Sequence, residues 1–143
     1  MSALDDSGTR PARILVVDDE PNNRLLLKVM LTPDGYEVVT AAAGEEALAL
    51  IARDPPDLIV LDVMMPGMDG YQVAARIKSD DATRHIPIIM LTALSDRNSM
   101  MHGLNAGAEQ FLTKPVVRAE LSLRVRNLLR LTEFPEPFRQ PGE

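Results

Sequence analysis

The chain is 143 residues long, carries 15 basic against 21 acidic side chains for a net charge of −6, and contains no cysteine. That length suits one domain with a substantial core, and the absent thiols exclude a disulfide framework, a thiolate metal centre and a cysteine nucleophile. The acidic balance disfavours direct binding to nucleic acid or to an anionic membrane surface. Residues 1–12 read as a disordered tail. Residues 14–17 form an unbroken apolar run, rich in β-branched residues, that ends at Asp18-Asp19. A run apolar at every position marks a strand covered on both faces, as in a parallel sheet. A helix over 21–31 follows, with Asp19 as its expected cap, Pro21 in its first turn and Gly35 as the left-handed residue beyond its end. Next come a weaker strand over 36–40 and a helix over 45–53. A second apolar run, 58–61, ends at Asp62 and leads into a helix over 71–78. A third run, 86–91, ends at Thr92 and precedes a helix over 96–106, capped by Ser95 and followed by Gly107. A weaker strand over 110–113 and a helix over 117–131 complete the pattern. In that last helix Val117, Leu121, Val125, Leu128 and Leu129 share one face at helical spacing. The proline-rich segment 132–143 reads as a tail or the start of a linker. No apolar run reaches the ~18 residues of a membrane span, and the polar start lacks the apolar stretch of a signal peptide, so a cytoplasmic protein is expected.

Five strand–helix units predict an α/β fold, a doubly wound (βα)5 parallel sheet of flavodoxin-like type with strand order 2-1-3-4-5. In such a sheet ligands bind beyond the carboxyl ends of the strands, where the strand order reverses. Asp18-Asp19 and Asp62 end the two strands that flank this point, and neighbouring strands lie only ~4.8 Å apart. Thr92 ends the next strand, and Lys114 follows the fifth. Three carboxylates so close repel one another unless a cation intervenes. An oxygen-only donor set calls for a hard divalent ion that keeps several waters, which points to Mg²⁺. One carboxylate can then attack phosphorus, a lysine and a metal can hold phosphoryl oxygens, and a hydroxyl can hydrogen-bond the product. His85 and His102 stand apart from these residues and read as surface or structural. Met64, Met65 and Met68 read as loop packing, and Gly67 and Gly70 as turn residues.

These residues and their context, ILVVDDEPNN, DLIVLDVMMPGMDGYQV, IPIIMLTA and AGAEQFLTKP, resemble the receiver domain of two-component response regulators over residues 13–131. The resemblance implies that Asp62 is the phosphoacceptor and that Asp18, Asp19, Asp62 and the backbone carbonyl of Met64 hold Mg²⁺. It implies Thr92 as the switch hydroxyl, Phe111 as the switch aromatic, Lys114 as the phosphate-binding lysine, and a cis peptide bond before Pro115. Val116 stands where an aromatic is frequent. The donor would be a histidine kinase or a histidine phosphotransfer protein. The output would pass to a protein partner, or to a second copy, through the face made by the helix over 96–106, the fifth strand and the last helix, with Arg97, Met101, Arg118 and Arg124 as contacts. The domain would assist its own phosphorylation and dephosphorylation without acting as an enzyme on a foreign substrate. Apolar Met64 and Leu94 beside the site imply slow loss of the phosphoryl group.

Three other readings compete. The chain could be the receiver of a longer regulator with an enzymatic output such as cyclic-dinucleotide turnover. A magnesium phosphatase of the haloacid dehalogenase type would share an aspartyl phosphate, but needs a second Asp two residues on, where this chain has Asp62-Val63-Met64. A flavodoxin-like cofactor protein would share the fold, but the acidic residues after the first strand would repel a flavin phosphate.

Overall fold

The computed structural model describes residues 10–93 and 106–133. Five strands, β1 (Arg13–Val17), β2 (Glu37–Ala41), β3 (Leu58–Asp62), β4 (Ile88–Ala93) and β5 (Gln110–Lys114), form one sheet in the order β2-β1-β3-β4-β5. Every neighbouring pair is parallel. The described helices are α1 (Pro21–Leu31), α2 (Gly44–Arg53), α3 (Gly70–Lys78) and α4 (Arg118–Glu133). The helix expected over 96–106, with its cap Ser95, lies outside the described residues except for Ala106, and so do nearly all of the two expected tails.

Alternation along each strand divides the core into two layers. Leu15, Val17, Ile59, Leu61, Ile88 and Met90 face one way, onto Ala47 and Ile51 of α2 and Val73, Ala74 and Ile77 of α3. Ile14, Val16, Leu58, Val60, Ile89 and Leu91 face the other, onto Leu27 and Leu31 of α1 and Leu121, Val125, Leu128 and Leu129 of α4. Both sheet faces are therefore dry, which is why the central strands carry no polar alternation.

Element ends depart from the expected ones for local reasons. β4 begins at Ile88 and runs through Thr92 to Ala93. Pro87 has no N–H to give to a ladder, although its carbonyl accepts from Ile59 at 3.0 Å. α1 is capped by Glu20, whose side chain accepts from Asn22 N, and not by Asp19. Gly35 is left-handed (φ 93°) as expected, but it ends a 3₁₀ turn, Thr32–Asp34, placed after α1. Val117 precedes α4 and is exposed, because its carbonyl caps the helix by accepting from the N–H groups of Glu120 and Leu121.

Candidate functional site

Parallel strands bring all their carboxyl ends to one edge, and β1 and β3 lie side by side at the crevice where the connections diverge. The register pairs Val17 with Leu61, so Asp18 and Asp62 come next to each other. Across β4 and β5, Thr92 pairs with Thr113 and Ala93 with Lys114. Carboxylate oxygens of Asp18, Asp19 and Asp62 all lie within 4.8 Å of one another. Asp18 and Asp62 are 1% and 2% exposed, Thr92 is equally buried, and Asp19 is open to solvent.

Lys114 Nζ lies 2.6 Å from Asp62 Oδ1. The contact is an ion pair without hydrogen-bond alignment, so Asp62 Oδ1 receives no hydrogen bond, and neither does Asp18 Oδ2. Three carboxylates thus face one ammonium, a net of two negative charges at a largely buried place. Burial pushes the Asp18 carboxyl above the usual aspartate range, opposed by a hydrogen bond from Glu20 N and reinforced by the charge on Asp62. Two buried carboxylate oxygens without a hydrogen bond, one of them ion-paired to Lys114, in an all-oxygen set fit a hard divalent cation, which would supply the missing charge.

The loop after β3 is shaped by residues not singled out for this part from the sequence. Gly70, expected as a turn residue, is the first residue of α3, and a Cβ there would sit 2.4 Å from the Asp62 carbonyl oxygen. Asp69 and Gln72 form a reciprocal capping box that fixes this helix start. The D-x-x-Q spacing was a legible signal for it. Gly67 is left-handed (φ 76°). Of the three loop methionines, Met65 is buried and Met68 packs on the core, whereas Met64 is 71% exposed. The Lys114–Pro115 bond is cis. Phe111 is half-buried against the first core layer.

On the face expected to meet partners, Arg118 donates to the Met30 carbonyl and to Asp34, and Arg124 donates to Gln110 and Glu120. Both arginines are therefore engaged within the chain. Arg97, Met101 and Leu94 lie outside the described residues.

The family description "Response regulator receiver domain" matches residues 14–126. The chain belongs to this family. Over 129 residues it is 52% identical to the response regulator PleD of Caulobacter vibrioides, covering 90% of this chain but 28% of PleD. Its fold superposes on the receiver domain of a signal transduction histidine kinase from Syntrophus aciditrophicus with a TM-score of 0.82 at 38% identity, covering 87% of this chain and 95% of that one. The receiver domain of a sensor histidine kinase from Pseudomonas aeruginosa, solved with a magnesium ion coordinated in its active-site cleft, gives a TM-score of 0.79 at 33% identity over 85% of this chain and 99% of that one. Membership removes the phosphatase and flavodoxin readings. Among the described residues no helix is long and apolar enough to cross a membrane.

Proposed function

We propose that this receiver domain is a switch set by phosphorylation of Asp62, with a histidine kinase or histidine phosphotransfer protein as donor. The observation that carries the reading is the buried Asp62 carboxylate between Asp18 and Lys114 at the reversal point of the sheet. In the transfer an Asp62 oxygen forms a bond to phosphorus, the bond from phosphorus to the donor's imidazole nitrogen breaks, and the departing imidazole takes up a proton. Lys114, already at the Asp62 carboxylate, neutralises an oxygen of the incoming group. Thr92, buried at the end of the adjacent strand, offers its hydroxyl to the same group. Asp18, Asp19, Asp62 and the Met64 carbonyl would hold Mg²⁺, which when bound supplies charge screening for the attack of an anion on an anion. The solved Pseudomonas aeruginosa receiver with its coordinated magnesium supports that assignment.

Phosphorylation biases an existing equilibrium between two conformations. The hydroxyl of Thr92 moves toward the new anion, and Phe111 on β5 turns into the space behind it. The change is read by a protein partner or a second copy on the face expected from the sequence to comprise segment 96–106, β5 and α4. Similarity to PleD favours a place within a longer regulator, since the chain spans 28% of that relative.

The test is incubation with acetyl phosphate and Mg²⁺, followed by intact mass. One phosphoryl group is expected on the wild type. None is expected on Asp62→Asn or when the metal is chelated. Equal labelling of the Asp62→Asn variant would overturn the assignment.

A further inference from the structure

The turn that presents Asp18 and Asp19 is tied down from three sides. Asp18 N donates to the Ala41 carbonyl of β2 at 3.2 Å, and Asp18 Oδ1 accepts from Glu20 N at 3.0 Å. The third tie comes from six residues on. Arg24 Nη1, in the first turn of α1, donates to the Asp18 carbonyl oxygen at 2.8 Å, while Arg24 N closes that turn by donating to the Glu20 carbonyl at 3.0 Å. One residue thus fixes the start of the helix with its backbone and the end of β1 with its guanidinium.

The choice of acceptor matters. An arginine bound to the Asp18 carboxylate would occupy the oxygens a cation needs. Bound to the carbonyl, Arg24 leaves Asp18 Oδ2 without a hydrogen bond. It holds the Asp18 backbone against the repulsion that would splay Asp18 and Asp19 from Asp62 when no cation is bound. Groups that orient metal ligands through a second contact commonly change metal affinity ten- to a hundredfold when removed.

We propose that Arg24 is a positioning residue that sets the divalent-cation affinity of the Asp18–Asp19–Asp62 cluster, and through it the rate at which Asp62 is phosphorylated at limiting Mg²⁺. The proposal rests on reading the cluster as the cation and phosphoryl site. A guanidinium held on a backbone oxygen tunes the site without touching the cation or the phosphoryl group.

The experiment measures Mn²⁺ binding by the loss of its free paramagnetic resonance signal, for the wild type, Arg24→Met and Arg24→Lys. Arg24→Met keeps the apolar stem and loses the donor, and its dissociation constant should rise about tenfold. Arg24→Lys, with charge and donor retained, should recover at least half of that loss on a logarithmic scale. Labelling by acetyl phosphate should lag in Arg24→Met at low Mg²⁺ and approach the wild-type rate at saturating Mg²⁺, a pattern that a merely weakened fold would not give. If Arg24→Met does not fold, Arg24→Gln takes its place. Wild-type affinity in the Met or Gln variant, or a Lys variant as weak as the Met variant, overturns the proposal. Absence of Mn²⁺ binding in the wild type would instead overturn the reading of the cluster itself.

Discussion

The two edges of the sheet are built from the same residue types and treat charge in opposite ways. At the amino-end edge Arg13 pairs with both Glu37 and Asp54, while its backbone N donates to Asp57 at 2.7 Å. Hydrogen bonding to Asp54 pushes the Arg13 guanidinium still further above its usual range. Lys78 donates to the carbonyls of Arg84 and Ile86 and to Glu109, whose other oxygen accepts from Ile88 N. Every one of these groups has its partner. At the carboxyl-end edge three carboxylates share one lysine, and two of their buried oxygens accept no hydrogen bond. A fold that satisfies its charges so fully at one end does not lack the means to do so at the other. On the function proposed above, the unmet charge is kept for a cation and a phosphoryl group.

Three substitutions can break or sharpen this contrast. The largest effect should come from Gly70→Ala, because the new methyl would lie 2.4 Å from the Asp62 carbonyl oxygen and 2.8 Å from Val63 Cα. Backbone must move, so the variant should lose about 3 kcal/mol in urea unfolding and be labelled more slowly by acetyl phosphate. Wild-type stability and labelling together would show that α3 does not constrain the site.

Lys78→Met acts at the closed edge. Its side chain is mostly buried, 14% exposed, and its ammonium serves three acceptors. Its loss should cost about 2 kcal/mol, seen as a lower urea midpoint at unchanged slope. Labelling of Asp62 should stay near wild type. Slow labelling in a well-folded Lys78→Met protein would mean the two edges are coupled.

Asp18→Asn acts at the open edge with the opposite sign. The Asp18 carboxyl is raised in the folded state, so its ionisation works against folding. That cost is absent at pH values below the ordinary aspartate range, grows as pH rises toward the folded value, and is fully present above it. Without metal, Asp18→Asn should therefore be more stable than wild type at pH 7, on the order of 1 kcal/mol, with the gain fading toward pH 4. Adding Mg²⁺ at a hundred times its dissociation constant should stabilise the wild type by about 2.7 kcal/mol and the variant far less. A destabilised Asp18→Asn at neutral pH without metal would mean that the carboxylate is not strained.

Much of this was legible in the residue order. Unbroken apolar runs ending in Asp, Asp and Thr place those residues at strand ends, and the crossover rules then bring Asp18 beside Asp62 although 44 positions separate them. What stayed hidden depends on choices between near-equal neighbours or on contacts distant in sequence. Asp19 and Glu20 are both able to cap α1 by residue type, and the sequence alone does not say that Glu20 takes the cap while Asp19 stands in the acidic cluster. Val117 has the right spacing for the buried face of α4, but its carbonyl is needed at the helix start, which leaves its side chain outside. The grip of Lys78 on Glu109 spans 31 positions and no local pattern marks it. Arg24 looks like an ordinary solvated helix residue until the Asp18 carbonyl is seen in front of it.

The contrast between the edges is tested most directly by following backbone amide resonances while Mg²⁺ is added to the metal-free protein. The account predicts saturable shifts at residues 18–20, 62–65, 92–93 and 114, with residues 10, 12, 13, 54, 57, 78 and 109 unmoved. Shifts spread evenly over both edges, or confined to the amino-end edge, would contradict it.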